Sequence, residues 1–406
     1  MKVINKGVCA PLGFKASGMH TGIRANKNKI DMSLIVSDCK ATASAVYTTN
    51  LVKGAPIYVT KENISDGYAQ AMLCNSGNAN TCNADGIMIA EKSCEILANT
   101  IGISPKDVIV ASTGVIGQPL SIKPFEANMA KLASNLGNTE VHADLACQGI
   151  MTTDTRKKEI AVEFMVDGKV CRIGAMTKGS GMIHPQMATM LCFITTDCNI
   201  SSVMLNKALH DTVEDTFNML SVDGDTSTND MVSIMANGLA ENKLIDCDDA
   251  NYQEFKNALM FVNTYLVKEM AFDGEGATKL LICHVKNAFS KNDAKMVAKS
   301  VIQSSLLKAA MFGSDANWGR VLCAIGYSKA NVDITKVDVS FTSKAGEILV
   351  CKNGAGVDFS EEIAKKILLE SEITIEINLN DKEGEAFSYG CDLTYDYVKI
   401  NGDYRS

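Results

Sequence analysis

TKGSGMIHPQMATMLCFITTD, residues 177–197, is the stretch from which the rest of the chain is best read. A Gly-Ser-Gly loop and a His-Pro turn feed into Ala188-Thr189, and an apolar run of strand character follows, predicted as a strand over 189–197. Thr189 therefore falls where a loop meets a strand. A side chain there can present its hydroxyl while the strand behind it stays rigid. Taken alone, a threonine at a strand start is an ordinary β-branched strand residue, so the junction leaves a structural and a chemical reading open.

Working outward, KEIAVEFMVDGKVCRIGAMTKG (158–179) has two alternating runs around Asp167-Gly168, a strong hairpin signal. Further upstream, 69–76 reads as a strand that opens into the polar loop NSGNANTCN. Apolar spacing predicts a helix over 87–102 ending at Gly102, and a short strand over 107–112 runs into TGVIG. A helix over 125–137 stops at a glycine. Downstream, helices are expected over 201–220, 251–270 and 293–311, with a polar loop at 221–230 and a strand at 280–286. The tail reads as a smaller α/β unit: strands near 335–342, 347–352, 372–379 and 386–399, and a helix near 361–370 opened by Ser360. The class is α/β. Without a Pro/Gly/Ser tether, two closely packed domains are expected for 406 residues.

Composition narrows the function. At 46% hydrophobic and 21% charged, the chain has a globular profile rather than a disordered one. A net charge of −8 with no basic block argues against nucleic acid and anionic membranes as partners. No targeting pattern opens the sequence and no apolar run approaches the roughly 20 residues of a membrane span, so the cytoplasm is the expected compartment. The 14 cysteines contain no C-x-x-C pair, and most sit among apolar neighbours, as at Cys283 and Cys323. Buried, reduced thiols and no metal site are expected.

The string KGSGMIHPQMATML resembles the processing site of the glutamate N-acetyltransferase (ornithine acetyltransferase) family. CNSGNANTCN (74–83), DGDTSTND (223–230) and GSDANWGR (313–320) extend the resemblance, which runs from about Pro11 to the C-terminus. It implies self-cleavage between Ala188 and Thr189, giving an α chain of 1–188 and a β chain of 189–406. The implied fold is a two-domain, N-terminal-nucleophile-like α/β arrangement with stacked mixed sheets flanked by helices. Its main domain would run to about 285, with a smaller domain over 286–406. The cleaved chains would associate as an α2β2 heterotetramer.

The residue types suit that chemistry. A threonine hydroxyl needs a base, and a threonine at a chain terminus carries one in its own α-amine, which titrates near about 8. Before cleavage that nitrogen is an amide. The resemblance assigns Thr189 as nucleophile, Thr113 and Gly114 as the oxyanion hole, and Thr152, Lys178, Thr189, Glu275, Asn401 and Ser406 as substrate-binding residues. Thr152 is chosen over Thr153, and Ser406 stands where the family more often ends in threonine. Lys178 would neutralise an α-carboxylate and Glu275 the side-chain ammonium of ornithine. The implied reaction moves acetyl from N-acetylornithine to glutamate without a cofactor, and acetyl-CoA stays open as a second acetyl donor. Two rivals remain: a hydrolase of the same fold, and an uncleaved binding protein.

Overall fold

A computed structural model describes residues 1–183 and 190–402. Its strands are β1 (Lys2–Ile4), β2 (Phe14–Met19), β3 (Met32–Tyr47), β4 (Tyr68–Asn75), β5 (Val108–Ser112), β6 (Lys158–Val166), β7 (Lys169–Lys178), β8 (Leu191–Thr196), β9 (Leu220–Ser221), β10 (Met231–Ala236), β11 (Leu280–Ala288), β12 (Asp338–Ser343), β13 (Gly346–Lys352), β14 (Ala355–Gly356), β15 (Glu372–Asn378) and β16 (Gly384–Cys391). Its helices are α1 (Ala55–Asn63), α2 (Gly86–Ile101), α3 (Lys123–Ser134), α4 (Glu140–Ile150), α5 (Ser202–Asp215), α6 (Ala250–Phe272), α7 (Lys291–Gln303), α8 (Ser305–Phe312), α9 (Trp318–Gly326), α10 (Glu361–Leu368) and α11 (Tyr395–Gly402). The chain is α/β, in two compact units. The first gathers residues 1–179, 190–214 and 226–266, and the second 180–183, 215–225 and 267–402.

The first unit is built on a mixed nine-stranded sheet of order β1-β6-β7-β8-β10-β3-β4-β5, with β2 on β3. The β6–β7 hairpin forms as its pattern predicts, with Asp167 at φ +50° and Gly168 at +74°, the left-handed pair of a tight hairpin turn. Alternation along β3 sends successive side chains to opposite faces. Leu34 packs with α2 and α3 through Leu97, Phe125 and Met129, while Ile35 packs with α4 through Ala146, Cys147 and Ile150. Helix α2 closes on Gly102 at φ +77°, as read.

The second unit holds a seven-stranded sheet of order β14-β13-β12-β15-β11-β16-β9. Helices α7, α9 and α10 cover it, burying Val297, Val301, Ile325 and Ile367 against Val285, Phe341 and Ile375.

Several local expectations need correction. The helix read over 293–311 is two helices, because Ser304 is extended and its hydroxyl accepts from the Leu307 N–H at 3.3 Å, capping α8. Helix α3 ends before Gly137, which instead exchanges backbone hydrogen bonds with Ala16 at 2.9 and 3.1 Å. Helix α5 stops at Asp215, and residues 217–219 form a 3-10 turn. The strand read to 399 ends at Cys391, where Asp392 accepts from the N–H groups of Thr278 (2.8 Å) and Lys279 (3.0 Å) and turns the chain into α11. Cys283 is buried, but Cys323 is exposed on the outer side of α9. No helix among the described residues is long and apolar enough to cross a membrane.

Candidate active site

In the first unit, β7 and β8 are antiparallel neighbours, with Lys178 opposite Leu191. The connection between them carries Ala188 and Thr189, both outside the described residues. Met190, the residue after Thr189, is buried, and its carbonyl accepts from the Met231 N–H at 2.9 Å. Parallel pairing of Leu191 with Met231 continues that attachment into the sheet.

Thr113 and Gly114 leave the end of β5. The Thr113 N–H donates to the Asn75 carbonyl at 2.9 Å. The Thr113 hydroxyl and the Gly114 N–H have no hydrogen-bond partner among the described residues, and both residues are partly exposed. Gly114 sits at φ +128°, and a Cβ there would lie 2.8 Å from the Asn78 nitrogen and 2.9 Å from the Gly77 carbonyl carbon. Both neighbours are backbone, so the position requires glycine.

An amide network holds this turn. Asn229 donates to the carbonyls of Ala79 (2.6 Å) and Ser112 (2.9 Å), and its own oxygen accepts from Thr81 at 2.6 Å. Asn75 donates to the Ser112 hydroxyl at 2.7 Å and accepts from the N–H groups of Gly77 and Asn78 at 3.2 and 3.1 Å. All of Asn75, Ser112, Thr81 and Asn229 are buried. The Asn-rich loops thus brace the turn bearing the unpartnered donors.

Thr152 and Gly179, the residue after Lys178, meet through a carboxylate that sequence reasoning passed over. Asp154 accepts from the Thr152 N–H (2.9 Å), the Gly179 N–H (2.8 Å) and the Lys158 ammonium (2.6 Å), and the Asp154 and Lys158 side chains are fully buried. Burial alone would raise the Asp154 pKa. The Lys178 and Lys158 charges and these hydrogen bonds outweigh it and hold the carboxyl well below the usual range. The Lys178 ammonium is buried, with no hydrogen bond or ion pair among the described residues. Burial lowers its pKa, as do the charges of Lys158 and Arg24, against the opposing pull of Asp154 and Asp230. It is a desolvated cation lacking a contact anion, suited to receive a carboxylate. The signal lay inside MTTDT: an acid two residues beyond Thr152.

In the second unit, Glu275 is buried and accepts from the Asn401 side chain at 2.8 Å. Its N–H donates to the Ser180 carbonyl at 2.8 Å. A Cβ on Gly181 would stand 2.3–2.6 Å from the Glu275 carboxylate atoms, so that glycine gives the carboxylate its room. Helix α11, which carries Asn401, is tied down where Thr394 donates to the Gly276 carbonyl at 2.7 Å. Ser406 lies outside the described residues. The structure therefore pairs Glu275 with Asn401, and links Thr152 to the Lys178–Gly179 strand end.

Known proteins match the chain over nearly its whole length. The ArgJ family model matches residues 15–406. Arginine biosynthesis bifunctional protein ArgJ 1 of Clostridium acetobutylicum is 50% identical over 408 residues, covering 100% of this chain and 99% of that protein. The ArgJ bifunctional protein of Caldanaerobacter subterraneus subsp. tengcongensis is 46% identical, with 100% of each covered. A crystal structure of arginine biosynthesis bifunctional protein argJ from Bacillus halodurans aligns with TM-score 0.51 and 45% identity, over 53% of this chain and 100% of that one. With a family model spanning nearly all of its residues and relatives near half identity end to end, the chain belongs to the ArgJ family.

Proposed function

We propose that Thr189, freed as a new N-terminus by cleavage after Ala188, is the nucleophile that carries the acetyl group. The chain is an acetyltransferase of arginine biosynthesis, and the transferase reading is favoured over the hydrolase one by the bifunctional arginine-biosynthesis proteins it matches. The observation that carries the residue-level mechanism is the Thr113–Gly114 turn, which offers a hydroxyl and an N–H with no partner among the described residues on a buried amide brace. Donors fixed in advance stabilise the oxyanion of acyl transfer without reorganising.

The Thr189 α-amine takes the proton of its own Oγ, which attacks the acetyl carbonyl of N-acetylornithine. The oxyanion is held by Thr113 and Gly114. The C–N bond breaks, ornithine's amine leaves with that proton, and an acetyl ester remains on Thr189. The amine of glutamate attacks the ester, returns a proton to Oγ and departs as N-acetylglutamate. Both half-reactions move acetyl between an amine and a hydroxyl, so no cofactor is required. Acetyl-CoA enters the same cycle as an alternative first donor, in keeping with the bifunctional names of the relatives.

In this reading Lys178 takes the substrate α-carboxylate, Thr152 flanks it, and Glu275 with Asn401 recognises the ornithine ammonium. Ser406 contributes its hydroxyl from the C-terminus. The cleaved chains, 1–188 and 189–406, assemble as an α2β2 heterotetramer in the cytoplasm.

Intact mass spectrometry tests the core of the proposal. The 43.5 kDa wild type is expected as two pieces of roughly 20 and 23 kDa, scaled from length, the larger beginning at Thr189, while Thr189→Ala stays whole. Ornithine release beyond one equivalent per enzyme should require glutamate. A whole wild type would remove the N-terminal base and bring the binding-protein reading forward.

A further inference from the structure

The loop HTGIRANKNKID, residues 20–31, joins β2 to β3 and touches two segments that the proposed chemistry uses. Asp31 is fully buried, and its carboxylate gathers the loop around itself. It accepts from the Thr21 N–H at 2.6 Å, the Thr21 hydroxyl at 2.8 Å, the Gly22 N–H at 3.2 Å and the Arg24 N–H at 3.0 Å. The Asp31 carbonyl accepts from the Ser76 N–H at 2.9 Å. The backbone at Arg24 is thereby fixed before its side chain reaches out of the loop.

The Arg24 guanidinium spans two segments. Its Nε donates to the Ser76 carbonyl at 2.8 Å, as does one terminal nitrogen, which also donates to the Met151 carbonyl at 2.6 Å. Ser76 lies between Asn75, whose side-chain oxygen accepts from the Gly77 and Asn78 N–H groups, and the Gly77–Asn78 peptide on which Gly114 packs. A Cβ on Gly77 would strike Ile23 and come 3.1 Å from Arg24 Cγ, so the loop lies directly on that peptide. Met151 precedes Thr152, whose N–H is held by Asp154 together with that of Gly179. The exposed Lys29 ammonium donates to the Thr152 carbonyl at 3.3 Å. All of these residues belong to the first unit.

We infer that Arg24 is a positioning residue: its planar guanidinium sets the distance between the Thr113–Gly114 turn and the Thr152–Lys178 site proposed for the substrate α-carboxylate. The inference rests on the roles proposed above for those residues. A substrate anchored by its carboxylate at one site, with its acetyl oxygen held at the other, needs both at a fixed separation. A misplacement of about 1 Å costs on the order of 100-fold in rate. A guanidinium suits that task because its fork donates in fixed directions, whereas an ammonium is a point donor on a flexible stem. The turn has its own brace in Asn75 and Asn229, so loss of Arg24 shifts the spacing and leaves the turn standing. An acetyl donor without a carboxylate is indifferent to that spacing.

The first equivalent of leaving group is timed without glutamate for two acetyl donors. One is N-acetylornithine, which carries the carboxylate and releases ornithine. The other is p-nitrophenyl acetate, which lacks it and releases p-nitrophenolate. The full chain is used as wild type, Arg24→Lys, Arg24→Met, Lys29→Met and Thr189→Ala, the last as blank. Arg24→Lys and Arg24→Met are expected to release ornithine about 10- to 100-fold more slowly, and p-nitrophenolate within about twofold of wild type. Lys29→Met loses one exposed hydrogen bond and is expected to slow ornithine release alone, by about threefold. Equal losses with both donors would make Arg24 a support of the fold rather than of the spacing and overturn the inference, as would unchanged ornithine release. Where an Arg24 variant does not fold or divide, Lys29→Met decides by the same two rates. Ornithine released by Thr189→Ala overturns the proposed nucleophile, a failure read without any Arg24 variant.

Discussion

The side-chain amide of Asn229 stands 2.9 Å from the carbonyl oxygen of Ser112, joining residues 117 apart in sequence. Ser112 is the residue before the Thr113–Gly114 turn. Two positions after Asn229, the Met231 N–H holds the carbonyl of Met190, the neighbour of Thr189. One short segment, 229–231, therefore fixes both the turn proposed to offer the oxyanion donors and the strand start that follows the proposed nucleophile.

Asn229→Ala should lower kcat with little change in KM, because the donors are displaced only where transition-state charge develops. The expected loss is about 100-fold, the scale of removing one oxyanion donor. Two buried carbonyls lose their shared partner, so a stability cost of about 1–3 kcal/mol should accompany it in denaturant unfolding.

Gly114→Ala tests the same turn from the other side. The added Cβ meets backbone at 2.8 Å and the φ of +128° is strained for any side chain. The turn must move, taking the N–H with it. Steady-state kinetics should show a fall in kcat of about 100-fold or more, whereas Gly102→Ala, beside open space at a similarly positive φ of +77°, should change stability and spare activity.

Lys178→Met should lose activity and gain stability. In the unfolded chain this ammonium titrates near about 10.4. Its folded value is lowered, chiefly by burial. Between the two values the unfolded state holds more protons, so stability rises with pH across that window, and below it the buried group is a standing cost. Replacing it with methionine should raise the thermal midpoint at pH 7 by roughly 2–4 °C. The gap between variant and wild type should narrow as pH approaches about 10. An unchanged or lower midpoint would argue that Lys178 stabilises the fold.

Glu275→Gln should separate the two substrates. It removes the anion proposed to receive the ornithine ammonium, which glutamate lacks. KM for N-acetylornithine should rise about tenfold while KM for glutamate changes little. Equal effects on both would assign Glu275 to the common α-amino-acid end instead.

Much of the local structure was legible because its signals are local. Asp167-Gly168 specifies its hairpin, Gly102 ends α2, and Ser360 caps α10 where it was expected. The breaks were less so. Apolar spacing runs through Ser304, and only its extended backbone and capping hydroxyl divide α7 from α8. Helix α11 was read as strand, because the turn that precedes it is made by Asp392 reaching Thr278 and Lys279 across 113–114 residues.

The sequence by itself determined the α/β class, the family, and the residue types the proposed chemistry needs: a threonine after a Gly-Ser-Gly loop, a lysine just before that loop, and a Thr-Gly turn after a strand. Those are carried by contiguous motifs, and a motif is visible wherever its chain folds. Only the tertiary structure decided what holds them. Asp154 beneath Thr152 and Gly179, Asn229 on Ser112, and Asp223 under Met182 and Ile183 look like ordinary loop polar residues in the sequence. Their partners lie on other segments, and a buried backbone N–H or carbonyl finds its hydrogen bond wherever folding brings a matching group.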